Sequence, residues 1–119
     1  MAGIRIVATI TYASADEAQQ VAERLVKFFE PCRSEDGVVQ YELFRSVENP
    51  EKLVLQEHWA SFRQYDNHWR AQTESGKNPD LGNMTAFEIE FYQHQNFDLV
   101  DNVWVPANPD SRISTIRWS

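Results

Sequence analysis

An α+β domain built on one antiparallel sheet is the fold class this chain predicts, on three observations. The run from Ile4 to Tyr12 alternates apolar and polar side chains, the period of a half-buried strand. Two further runs, 37–46 and 52–59, alternate in part and flank Val47-Glu48-Asn49-Pro50-Glu51, whose Asn-Pro pair marks a turn; together they read as a β-hairpin. Two amphipathic stretches, each preceded by a capping serine, separate these strands from one another and from a last strand.

In the first strand Ile4, Ile6, Ala8, Ile10 and Tyr12 form one strongly apolar face against Arg5, Val7, Thr9 and Thr11. Ser14-Ala15-Asp16-Glu17 is a capping box, in which hydroxyl and carboxylate satisfy the orphan amides of a helix start. The helix is predicted to reach about Glu30, with Ala18, Val21, Ala22, Leu25, Val26, Phe28 and Phe29 as its buried stripe. Pro31 stops it, since proline cannot continue the hydrogen-bond ladder, and Ser34-Glu35-Asp36-Gly37 turns the chain. Within the hairpin, Tyr41, Leu43 and Arg45 share one face of the first strand. Leu53, Leu55, Glu57 and Trp59 share one face of the second, with Val54, Gln56 and His58 behind them.

Ser61 caps a second helix over roughly 62–73, where Phe62, Tyr65 and Trp69 fall on one face. A loop with Gly76, Asn78, Pro79, Asp80 and Gly82 follows, and 85–93 alternates as a fourth strand. The order β-α-β-β-α-β is the ferredoxin-like unit. Both helices then cover one sheet face and the other is left bare, needing a cover to which the first strand offers apolar side chains. This domain takes in 1–95. The extension 96–119 holds Phe97, Leu99, Val103, Trp104, Val105, Ile113, Ile116 and Trp118, too apolar for a disordered tail. It is expected to be ordered, with a strand near Val103 or Ile113, and to pack on its own subunit, wrap a partner subunit or close a pocket.

At 119 residues the chain fits a single domain. Seven Phe, four Tyr and four Trp exceed what a small core needs, which points to a pocket or an interface. A net charge of −7 with no cluster of Lys or Arg argues against a nucleic-acid partner and against an anionic membrane surface. The single Cys32 excludes an intramolecular disulfide. Met1-Ala2-Gly3-Ile4-Arg5 lacks the pattern of a secretion signal, and no apolar run nears the ~20 residues that span a bilayer; the cytoplasm is the expected compartment. Glycine-rich phosphate loops and HExxH or CxxC spacings are absent, and the three histidines, His58, His68 and His94, are too scattered to argue for a metal. His58 and His94 read as surface or interface residues, and Cys32, with no evident partner, as an inert thiol.

Tyr41-Glu42, Arg45-Ser46, Asn49-Pro50, Leu55-x-Glu57-x-Trp59 and then His68, nine residues after Trp59, make an ordered series. It resembles the antibiotic biosynthesis monooxygenase family of the dimeric α+β barrel superfamily, over about residues 3–95. The resemblance implies a homodimer whose two sheets pack face to face, with a ligand pocket between sheet and helices in each subunit. It also implies oxidation of phenols or anthrones by O2 without metal, flavin or other cofactor: an electron-rich phenolate reduces O2 itself, so the protein need only bind, deprotonate and orient it. Trp59 and Tyr65 match the Trp and Tyr of that pattern; Leu55 stands where an Asn is expected.

His68 is the preferred general base, as the side chain type whose charge changes near neutral pH. Trp59 and Tyr65 would orient the ring and Arg45 balance a phenolate, while Tyr41, Leu55, Glu57 and Trp69 complete the substrate site. Haem-degrading relatives carry a Trp and a His where this chain has His68 and Asn78. Other readings stand beside these. Trp59 and Tyr65 fit a core equally, His68 fits a cap, and Glu42 and Glu57 fit either a carboxylate pair or, through one of them, a salt bridge to Arg45. A non-catalytic module binding a small apolar ligand, and an isomerase or cyclase moving a proton through Glu57 or His68, share the same barrel.

Overall fold

The computed structural model describes residues 3–93 and 97–107. Its main sheet runs β2-β3-β1-β4, all antiparallel neighbours, from β1 (Ile4–Tyr12), β2 (Val38–Arg45), β3 (Lys52–Trp59) and β4 (Met84–Gln93). Helix α1 (Ala15–Phe29) follows β1 and α2 (Phe62–Ser75) follows β3. This is the β-α-β-β-α-β order expected from the sequence.

The caps form as the serines predict. Ser14 accepts from the Glu17 amide and Ser61 from the Gln64 amide, both at 3.2 Å, each such cap contributing about 1 kcal/mol. Pro31 ends α1 but does not hand the chain straight to a turn. It opens a 3₁₀ helix, Glu30–Ser34, in which Cys32 is buried; a proline at the first helical positions gives up only an orphan amide.

Register places the core. Ile6 faces Glu57 and Phe91, Ala8 faces Leu55 and Ile89, and Ile10 faces Leu53 and Phe87, so these side chains lie in three layers on one sheet face. Ile6, Ala8, Ile10 and Tyr12 are buried there with Ala18, Val21, Leu25 and Phe29 of α1. The strongly apolar face of β1 therefore lies under the helices and is not the bare one. On the bare face β1 shows Arg5, Val7 and Thr9 against His58, Gln56 and Val54 of β3, a mixed surface. His58 is buried there, close to Gly3, and is no surface histidine.

Beyond β4 the chain forms a separate two-stranded sheet, β5 (Phe97–Val100) and β6 (Val103–Pro106). Its turn is Asp101-Asn102, with φ of 51° and 63°, the left-handed pair that a two-residue hairpin requires. The expected strand at Val103 is present, and its partner at Phe97 is an addition to the sequence reading. Leu99, Val100, Val103 and Trp104 are exposed. The alternative strand near Ile113, and His94, lie outside the described residues.

Candidate active site

The helix layer leaves most of β4 uncovered, meeting it where Tyr65 of α2 packs edge-on against Phe91 at 5.9 Å between centroids. Between α2, β4 and the sheet floor lies a cavity of about 620 Å³, within the usual range for small-molecule sites. Ala8, Ile10, Leu55 and Glu57 form its floor, while Phe87, Ile89 and Phe91 of β4 form one wall. Phe62, Tyr65, Asp66, His68, Trp69 and Gln72 of α2 form the opposite wall, Phe29 and Tyr41 one end, and Asn78, Pro79 and Leu81 the loop side. Phe87, Ile89 and Phe91 are 45, 43 and 51% exposed, so the cavity opens along β4.

At its inner end the polar groups gather. His68, buried on the inner face of α2, places Nδ1 2.7 Å from Glu35 Oε2. A carboxylate only accepts, so Nδ1 carries the proton in this bond and Nε2 is left as the nitrogen open to a cavity molecule. The imidazole is clamped by aromatic rings, Trp59 at 4.9 Å and Tyr41 at 5.7 Å between centroids. Cys32 joins them: its sulfur, His68 and Glu35 offer donor atoms all within 4.8 Å of one another. Burial, then the neighbouring Glu35, pushes the Cys32 thiol up to about 11, while a hydrogen bond from Tyr41 opposes the rise.

Glu57 is the buried carboxyl of the site, taking a 3.0 Å hydrogen bond from Trp59 Nε1. Desolvation raises its pKa above the ordinary 4.5, against the Trp59 hydrogen bond and the neighbouring His68, which lower it. Tyr41 and Tyr65 are both raised, chiefly by desolvation and next by Glu57, Tyr65 to about 12. Both phenols stay protonated at neutral pH and serve as hydrogen-bond donors. His68 and Glu57 are thus the groups here able to take a proton from a bound molecule.

Of the residues expected at the site, Tyr41, Leu55, Glu57, Tyr65, His68 and Trp69 all line the cavity. Trp59 does not: it is fully buried behind it, supporting His68 and Tyr65 with its rings and Glu57 with its indole N–H. Arg45 is elsewhere. Its guanidinium donates to the Pro50 and Ala15 carbonyls and to Gln19 Oε1 at 2.8, 2.6 and 2.7 Å, tying the hairpin tip to α1. Glu42 faces Gln56 on the other side of the sheet from Glu57, so the two are no pair, and neither is among the ion pairs formed by the described residues, Arg45 included. Sequence reasoning missed Glu35, the partner of His68, and with it the company that Cys32 keeps. It also missed β4 as a pocket wall, though alternation had already grouped Phe87, Ile89 and Phe91.

Comparison with known proteins agrees with this architecture. The profile of the antibiotic biosynthesis monooxygenase family matches residues 3–74. A conserved protein from Methanosarcina mazei Go1 is 26% identical with a TM-score of 0.67, over 79% of this chain and 94% of that one. A protein from Pseudomonas aeruginosa shares 19% identity at a TM-score of 0.63, over 79 and 95%. SnoaB, a cofactor-independent oxygenase from Streptomyces nogalater, shares 16% identity at a TM-score of 0.56, over 76 and 90%. No curated protein matches the sequence. A ferredoxin-like sheet with its cavity under α2 thus defines a monooxygenase-type α+β fold, and the chain belongs to the antibiotic biosynthesis monooxygenase family. No helix among the described residues is long and apolar enough to cross a membrane.

Proposed function

We propose that this protein is a cofactor-independent monooxygenase that oxidises a phenol, quinol or polycyclic aromatic with O2. The observation that carries the reading is the buried His68 at the end of an otherwise largely apolar cavity, its Nδ1 held 2.7 Å from the exposed carboxylate of Glu35. Such a cavity takes up a flat aromatic molecule by burial of apolar area, and Tyr65, Trp69, Phe87 and Phe91 offer rings to stack on it. His68 Nε2 accepts the phenolic or benzylic proton while Glu35 holds Nδ1–H and stabilises the imidazolium. The resulting carbanion or phenolate gives an electron to O2. The radical pair combines at a ring carbon, and the peroxide so formed collapses to a carbonyl, one oxygen atom entering the product and the other leaving as water. The name of SnoaB, an oxygenase without cofactor on the same fold, supports this reading. Leu55, standing where the family pattern expects a polar Asn, favours instead the reading of a non-catalytic module that binds a small apolar ligand. The oxygenase reading includes a cytoplasmic homodimer in which the bare sheet faces cover one another.

The test is O2 uptake by metal-stripped, flavin-free protein with a panel of quinols and anthrones. Uptake that requires both protein and one substrate is expected, falling in His68→Ala. No uptake with any of them, alongside quenching of Trp fluorescence by the same compounds, would identify a binding module instead. Glu57 favours a second reading: a buried carboxyl whose pKa is raised by desolvation also suits an isomerase that moves a proton without O2. Turnover that persists under anaerobic conditions would establish it.

A further inference from the structure

Cys32 and Glu35 leave the 3₁₀ segment on the same side and meet His68 from α2. We propose that these three side chains bind one thiophilic divalent cation, of the Zn2+ or Co2+ class, between the 3₁₀ segment and α2. A thiol, an imidazole nitrogen and a carboxylate oxygen are the donor set that Zn2+ selects. Their ligand atoms already lie within 4.8 Å of one another. Around a tetrahedral Zn2+, bond lengths of about 2.0–2.3 Å set donors about 3.3–3.8 Å apart. The His68–Glu35 contact at 2.7 Å must open by about 0.6 Å to reach the lower end of that range, which is the nitrogen–oxygen separation. Cys32 and His68 are buried while Glu35 is exposed, which gives the ion a way in from solvent, and the Tyr41 ring packs against His68 at 5.7 Å between centroids, holding that ligand in place as outer-shell groups do. Binding releases the thiol proton to solvent, because the metal takes the thiolate. Three protein ligands leave a fourth position for water.

The consequence for chemistry is specific. A metal on Nδ1 leaves His68 with its remaining proton on Nε2, a donor where the free protein has an acceptor. The ion therefore switches off proton abstraction by His68. That inhibitory effect rests on the oxygenase reading; the binding site does not.

Titration of Co2+ into metal-stripped, reduced protein under anaerobic conditions decides the matter. The expected result is a thiolate-to-cobalt charge-transfer band that saturates at one equivalent and is abolished by one equivalent of Zn2+. Cys32 is the only cysteine, so the band can come from nowhere else in the chain. It should vanish in Cys32→Ser, and the affinity should fall at least tenfold in His68→Ala and in Glu35→Gln. Absence of the band in the unmodified protein overturns the site, whatever the variants do. An unchanged affinity in either His68→Ala or Glu35→Gln overturns it as well. If substrate turnover is found, one equivalent of Zn2+ should suppress it in the unmodified protein and spare the residual rate of Cys32→Ser.

Discussion

Strands β1 and β4 are neighbours with matched register and similar alternation, yet they live in different surroundings. Ile6, Ala8 and Ile10 are 0, 5 and 2% exposed, while Phe91, Ile89 and Phe87, directly opposite them, are 51, 43 and 45% exposed. Nothing in side-chain type explains the difference; both sets are strongly apolar. It comes from the helix layer, which seats α1 and the aromatic end of α2 over β2, β3 and β1 and leaves most of β4 uncovered beyond the Tyr65–Phe91 ring contact. One half of the sheet is a closed core. The other half is the same kind of surface left open, and the cavity is the space between them. Large apolar side chains held half in water are a standing cost that a ligand or a second subunit removes.

The largest expected effect breaks the comparison on its closed side. Ile10→Ala should cost about 2–5 kcal/mol of stability, as truncation of a buried Ile does, measured by denaturant unfolding. Next comes the chemistry. His68→Ala should lower substrate-dependent O2 uptake about a hundredfold or more, the scale of a general base, with circular dichroism unchanged. On the open side, Phe87→Ala removes a larger side chain than Ile10→Ala but should cost only about 1 kcal/mol or less, because its ring is 45% exposed. It should instead weaken ligand-induced quenching of Trp fluorescence. A stability cost for Phe87→Ala that grows with protein concentration would show that a second copy covers β4.

The smallest effect is a pH dependence. Glu57 has a raised pKa in the folded state, so the fold favours its protonated form. That contribution is fully present below the unfolded value of about 4.5 and is lost as pH rises through the folded value. Glu57→Gln should therefore flatten the fall in stability between about pH 4.5 and neutrality. An identical pH profile in the variant would mean that Glu57 does not titrate differently on folding.

Two strands, Ile4–Tyr12 and Lys52–Trp59, were legible to the residue, because burial of one face leaves a period-2 trace. So were both serine caps, and the site residues Tyr65 and His68, which sit one helical turn apart. What local pattern cannot carry is where along a face a residue sits. Arg45 shares the face of Tyr41, as alternation requires, but lies at the outer end of β2, where Gln19 and Ala15 at the start of α1 claim it. Glu35 meets His68 across 33 residues, a pairing set by the 3₁₀ segment after Pro31. The β5–β6 hairpin had a local signal in Asp101-Asn102, two residues tolerant of left-handed backbone between apolar runs.

Gly37 ties several of these facts together. Its φ of 90° belongs to the left-handed side of conformational space, and a β-carbon there would run into the Gln64 side chain. Its carbonyl accepts from the Ala60 amide at 2.7 Å, and next door Gln64 Nε2 donates to Asp36 at 3.2 Å. The turn that follows Glu35 is thus clipped to the first turn of α2, the helix that bears His68. The base and the carboxylate that orients it are held on one frame. A side chain put in place of Gly37 would therefore disturb the contact between Glu35 and His68 as well as the turn itself.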